Sequence, residues 1–128
     1  TLDQLDQLIA DFTGAGLHVE WHTTGTPDRL APAVSLTAYR IVQESLTNAH
    51  RHGSDPHVCL SVDHHADTLR IDVLNHAVAG SPPSGPRGHG IVGMQERVAA
   101  AGGMIDVGPT TDGQFRVHVT LPVAGEQR

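Results

Sequence analysis

The chain has no lysine; all eight of its basic residues are arginine. That excludes a Walker A loop, which sets a lysine before Ser/Thr, and a eukaryotic-type protein kinase, which needs a lysine on a strand. Schiff-base chemistry is excluded with them. Any phosphate charge must be met by arginine, backbone N–H groups or a metal ion. Cys59 is the single cysteine, so no internal disulfide can form, and its strand-like setting predicts a small, buried or half-buried residue. Aromatic residues are few (Phe12, Trp21, Tyr39 and Phe115), which argues against a base-stacking platform. Positive charge is short as well: the formal net charge is −6, against general nucleic-acid binding through phosphate attraction. No apolar run approaches the length of a membrane span, and no signal peptide opens the chain. The 128 residues are enough for one domain with a real core. The chain starts at Thr1 in mid-pattern and reads as a fragment of something longer.

Hydrophobic spacing predicts the elements. Leu2, Leu5, Leu8, Ile9 and Phe12 recur at helical intervals, closed by Gly14-Ala15-Gly16. His18 to Thr23 alternates as a strand with Val19 and Trp21 inward. A long helix is predicted from about Ala33 to Arg51, ended by Gly53. Val34, Ala38, Ile41, Val42, Ser45, Leu46 and Ala49 make its buried face. Arg40, Glu44, Thr47, Asn48 and Arg51 form the opposite, outer stripe. Alternation then marks strands through Val58–Val62 and Leu69–Val73, joined by the polar link His64 to Thr68 as a hairpin, with Asn75 ending the second. Residues 76–87 are too rich in glycine, proline and serine for helix or strand and read as a loop, a candidate lid. Ile91, Met94, Val98 and Ala101 predict a second long helix, closed by Gly102-Gly103. Met104–Val107 and Phe115–Leu121 are the last strands. Clean alternation in every strand predicts a two-layer α/β sandwich, with a mixed, mostly antiparallel sheet and the helices on one face.

Two clusters carry chemistry. Gly88-His89-Gly90-Ile91-Val92-Gly93-Met94 lies between the proline-rich loop and the second helix. Glycines strip side chains from a turn and let backbone N–H groups approach phosphate oxygens. Glu44 and Asn48, one helical turn apart, put two oxygen-bearing groups on one face, where a hydrated Mg²⁺ could be held. Each has a plainer reading: a ligand-free glycine loop, and a solvated helix face. A dinucleotide fingerprint with Asp106 as the ribose acid fails on context, because the glycines follow a proline-rich loop rather than a strand. The pairs His50/His52 and His64/His65 lack zinc spacing with cysteines and read as surface residues.

The wording Tyr39-Arg40-Ile41-Val42-Gln43-Glu44-Ser45-Leu46-Thr47-Asn48-Ala49-His50-Arg51-His52 resembles the N-box of bacterial sensor histidine kinases of the nitrate-sensor and DesK-like class. Gly88 to Val98 resembles their G2 box, and Phe115 to Pro122 their closing strand. The likeness covers roughly residues 30 to 122. It implies a Bergerat (GHKL-type) ATP-binding fold, a single catalytic domain over 1–128, and an ATP lid over 76–90. By the family pattern Asn48 coordinates Mg²⁺, and Glu44 lies beside the metal and its water as the catalytic carboxylate. Gly88, His89, Gly90, Ile91, Val92, Gly93 and Met94 fall in the nucleotide site, with Gly88 and Gly90 flanking the lid. The N-terminus of a helix starting after Gly90 would favour the phosphates. Arg51, His52 and Arg87 are further phosphate contacts. The implied cofactors are ATP and Mg²⁺. The implied partners are a dimerisation domain bearing the phosphoacceptor histidine, absent from this chain, and a response regulator. The piece would be a monomeric cytoplasmic domain that does not phosphorylate itself. Its parent would be a homodimer, with anchorage in the cell membrane left open.

One departure stands out. The family's G1 box reads Asp-x-Gly-x-Gly, and its Asp accepts a hydrogen bond from the adenine amino group. Here the stretch is Asn75-His76-Ala77-Val78-Ala79-Gly80, with Asn75 at the acid's place and Ala77 at the first glycine's. A charge-assisted bond would become a neutral one. Two alternatives follow: an anti-sigma-type or other GHKL ATPase, and a degenerate pocket serving as an interaction domain.

Overall fold

A computed structural model describes residues 2–25, 30–77 and 86–124, with the side chains of 52–54, 77 and 86–89 left aside. After a 3-10 turn at Leu2–Gln4 come α1 (Leu5–Gly14), β1 (His18–Thr24), α2 (Pro32–His52), β2 (Gly53–His64), β3 (Thr68–Ala77), α3 (Pro86–Ala100), β4 (Met104–Pro109) and β5 (Gln114–Pro122). The five strands form one sheet in the order β1-β2-β3-β5-β4. β1 pairs parallel with β2, because α2 carries the chain back across the sheet between them; every other pairing is antiparallel.

Strict alternation decides which face is buried. Val58, Leu60 and Val62 of β2, Leu69, Ile71 and Val73 of β3, and Phe115, Val117, Val119 and Leu121 of β5 all point into one core. The helices cover that face with Leu5 and Leu8 of α1, Val34, Ala38, Ile41, Val42, Leu46 and Ala49 of α2, and Met94 and Val98 of α3. This is the predicted two-layer sandwich. Ile71, on the central strand, has no exposed surface. Ile71→Ala is expected to cost about 2–5 kcal/mol, from lost transfer energy and the cavity left behind. Chemical denaturation checks this, and a loss under about 1 kcal/mol would mean the core is looser than its burial indicates.

Three features differ from expectation, and each bears on the site. β3 continues through Asn75 to Ala77, and Gly53 pairs with Ala77, so the end of α2, the start of β2 and the end of β3 meet at one edge of the sandwich. α3 begins at Pro86, not after Gly90. Proline suits a first helical turn, where its missing N–H is not needed. Each interior glycine then costs about 1 kcal/mol relative to alanine, a cost offset by burying Met94 and Val98 beneath. Of the residues 76–90 assigned to a lid, 76 and 77 belong to β3 and 86–90 to α3; 78–85 lie outside the described residues. At its far end α3 stops at Ala100, followed by Gly102 with φ of +80°, a backbone state that glycine adopts without strain.

The third difference is Asn48. Its assignment to the outer, solvated stripe of α2 is corrected: it is only 6% exposed. At 100° per residue, position 48 returns to the azimuth of fully buried Ile41, seven residues earlier. Arg40 and Arg51 are exposed, as expected, and Glu44 and Thr47 lie between the two stripes.

Candidate nucleotide site

The helix pair α2 and α3 brings the two sequence clusters together. A Cβ built on Gly90 would lie 2.5 Å from Glu44 Oε2 and 3.1 Å from its Cδ. Gly90 is thus the point where α3 admits the Glu44 carboxylate. One turn on, Met94 is fully buried and its Sδ accepts a hydrogen bond from Ser45 Oγ at 3.8 Å. Gly90 meets Glu44 and Met94 meets Ser45, so the two helices share a contact row beginning where the carboxylate sits.

Asn48 stands one turn beyond Glu44. Its Nδ2 is buried and, among the described residues, has no hydrogen-bond partner. A carboxamide held in a core face without a partner costs about 1–3 kcal/mol. Buried polar groups in folded proteins are nearly always paired, so an orphan at this position points to a ligand. Glu44 and Asn48 offer a carboxylate and a carbonyl oxygen. These hard donors suit Mg²⁺, and the amide N–H groups suit a phosphate oxygen beside it. The residues present therefore fit the group that the resemblance implies.

Asn75 lies on the inward row of β3, two residues past Val73, and is 7% exposed. It pairs with Val58 on one side and Phe115 on the other. Its Nδ2 donates to the His76 carbonyl at 3.0 Å. That contact orients the amide, whose oxygen is the kind of acceptor an adenine amino group requires.

The remaining predicted residues divide by position. Arg51 is exposed near the end of α2. His52 lies in the last turn of α2, and Arg87, Gly88 and His89 in the first turn of α3; their side chains lie outside the described ones. Ile91 packs at the rim of the core. Val92 is 50% exposed. Met94 supports the helix pair from inside, and full burial removes it from direct ligand contact. Gly93 faces Arg97, whose Nη1 would be 3.4 Å from an added Cβ. Ser45 was read only as a core residue; its partnership with Met94 had no sequence signal. A cavity of about 470 Å³ lies elsewhere, lined by Leu2, Trp21, Leu30, Pro32, Val62 and His64, and neither Glu44 nor Asn48 reaches it. No helix among the described residues is long and apolar enough to cross a membrane.

No protein-family model matches the chain. Its sequence is 31% identical over 127 residues to the sensor histidine kinase LnrJ of Bacillus subtilis, covering 98% of this chain and 31% of LnrJ. The chain spans less than a third of the length of the curated relatives it matches, all of them histidine kinases. Among solved structures, it superposes on the catalytic domain of the histidine kinase ThkA with a TM-score of 0.70 at 13% identity, covering 94% of this chain and 93% of that one. It superposes on full-length ShkA in complex with AMPPNP with a TM-score of 0.73 at 19% identity, covering 99% of this chain and 30% of ShkA. The fold is that of these histidine kinase catalytic domains. The sequence is homologous to one region of each of these sensor histidine kinases.

Proposed function

We propose that this domain binds Mg·ATP at the edge where α2, the end of β3 and the start of α3 converge. It would hand the γ-phosphate to a histidine on a dimerisation domain of its parent protein, from which a response regulator is phosphorylated. The observation that carries this reading is the buried Asn48 Nδ2, unpartnered among the described residues, one turn from a carboxylate that closes on Gly90. That the structural relative ShkA was solved in complex with AMPPNP supports nucleotide binding by this fold.

When bound, Mg·ATP supplies the transferable phosphoryl group and the positive charge that neutralises its oxygens. The chain's own residues do the positioning. Asn48 would hold the metal through its oxygen and a phosphate through its N–H groups. Glu44 would serve the same ion and could take a proton from the incoming nucleophile. Asn75 would accept the adenine amino hydrogen. Arg51, His52, Arg87 and the free backbone N–H groups of Arg87, Gly88 and His89 would gather the phosphates at the start of α3. That start is Pro86, so the helix dipole acts a turn earlier than the sequence implied. Most of the rate then comes from orientation and charge, not covalent chemistry.

Calorimetric titration with ATP or ADP, with and without Mg²⁺, tests the proposal. Saturable, magnesium-dependent binding with one site per chain is expected, together with phosphotransfer in trans to a separately supplied acceptor-histidine domain. No binding at millimolar nucleotide would instead favour a degenerate pocket, the reading that the Asn75 and Ala77 departures motivate.

Asn75→Asp tests the adenine contact and has two opposed effects. A carboxylate gives the adenine a charge-assisted bond, worth roughly 1 kcal/mol more than the neutral one. It also replaces the donor to the His76 carbonyl with an acceptor, so the ligand-free domain should lose about 1–3 kcal/mol. Tighter binding of Mg·ATP with a lower melting temperature is the expected pair of results. Unchanged affinity would remove Asn75 from the adenine site.

A further inference from the structure

The face of the sheet opposite the helices carries a second set of ligating groups. Alternation along β1 turns His18, Glu20 and His22 to this face, away from Val19 and Trp21. The parallel register sets Glu20 directly against Cys59 of β2, and His22 against Ser61. A carboxylate oxygen of Glu20, a ring nitrogen of His22 and Cys59 Sγ all lie within 4.8 Å of one another. Glu20 and His22 are exposed and Cys59 is half-buried. His22 Nε2 is 3.3 Å from Glu20 Oε2. A tetrahedral ion with bonds of about 2.0–2.1 Å sets nitrogen and oxygen ligands about 3.3 Å apart, so that edge of the polyhedron already has its length. Burial, then the carboxylates of Glu20 and Asp72, pushes the Cys59 thiol up. Asp72 itself is engaged by Arg116 Nε at 2.7 Å and lies 3.2 Å from His118 Nδ1. This leaves Glu20 as the carboxylate that can turn to a cation.

We propose that Glu20, His22 and Cys59 form a zinc site that staples edge strand β1 to β2, with a fourth position open to solvent. The mixed sulfur, nitrogen and oxygen set selects Zn²⁺ over Mg²⁺ and Ca²⁺, which take oxygen ligands. The site lies across the sheet from α2, so it is chemically and spatially separate from the nucleotide residues and does not depend on their assignment. On binding, the Cys59 S–H bond breaks, a Zn–S bond forms, and the proton leaves to solvent.

Titrating the reduced 128-residue chain, free of Mg²⁺ and nucleotide, with Co²⁺ tests this. A thiolate-to-cobalt charge-transfer band at one equivalent, displaced by Zn²⁺, is expected. One equivalent of Zn²⁺ should also slow alkylation of Cys59 at least tenfold. Glu20→Gln and His22→Gln, both at exposed positions, should keep the native circular dichroism and weaken zinc binding at least tenfold each. Two results would overturn the site: an alkylation rate indifferent to zinc, which would locate any zinc binding at other histidines, or full zinc affinity in both variants. In either case the Glu20–His22 contact is a hydrogen bond and nothing more.

Discussion

Asn48→Ala should abolish most magnesium-dependent nucleotide binding and leave the fold's stability almost unchanged. The two halves of that result come from one observation. The Asn48 Nδ2 is buried without a partner among the described residues. Removing an orphaned donor recovers about 1–3 kcal/mol, and the small cavity left by truncation costs a similar amount, so the net change should stay within about 1 kcal/mol. A residue buried for packing alone behaves otherwise: its truncation costs stability and spares the ligand. Hydrogen bonds to charged groups are worth about 1.5–3 kcal/mol, so affinity for Mg·ATP should fall roughly 10- to 150-fold. Thermal melts paired with calorimetry separate the cases. A clear drop in melting temperature with affinity intact would assign Asn48 to the core and remove it from the site.

The second large effect is expected from a single methyl. Gly90→Ala places a carbon 2.5 Å from Glu44 Oε2, closer than the two atoms can sit. The carboxylate is the far end of a flexible side chain, so it gives way before the helices do. Alanine also favours the helical state over glycine by about 1 kcal/mol, so the variant should be as stable as the parent or more so. Activity should move the other way. Displacing a catalytic group by about an ångström costs on the order of 10²-fold, and phosphotransfer to a supplied acceptor histidine should fall by that order. Glu44→Gln provides the control. If Gly90 acts through Glu44, the double variant should be no worse than Glu44→Gln alone, because the two substitutions remove one function. Additive losses, or wild-type phosphotransfer in Gly90→Ala, would break the link between the two helices and the chemistry.

These predictions depend on residues that the sequence singled out for partly wrong reasons. Glu44 and Asn48 were paired because four residues make one helical turn, and the structure keeps that pairing. Their placement on a solvated stripe fails at Asn48, because the polar character of one residue does not reveal how wide the buried face is. The glycine run suggested a loop. Its backbone is helical from Pro86, since the burial of Met94 and Val98 outweighs weak local propensity. Gly90 does serve close approach, as glycine was expected to, but it is the Glu44 side chain that approaches.

What the amino-acid order determined by itself is the layered fold: period-two alternation in the strands and 3.6-residue spacing in the helices each state which side faces the core. The same alternation put Asn75 in the inward row with Leu69, Ile71 and Val73. What tertiary structure decided are the meetings between distant segments. The Glu44–Gly90 contact depends on how α3 packs against α2, and the Glu20–Cys59 pairing depends on the register of a parallel crossover. Local periodicity carries no information about either, because register and helix crossing are set by the shape of the shared core, and no single segment contains that shape.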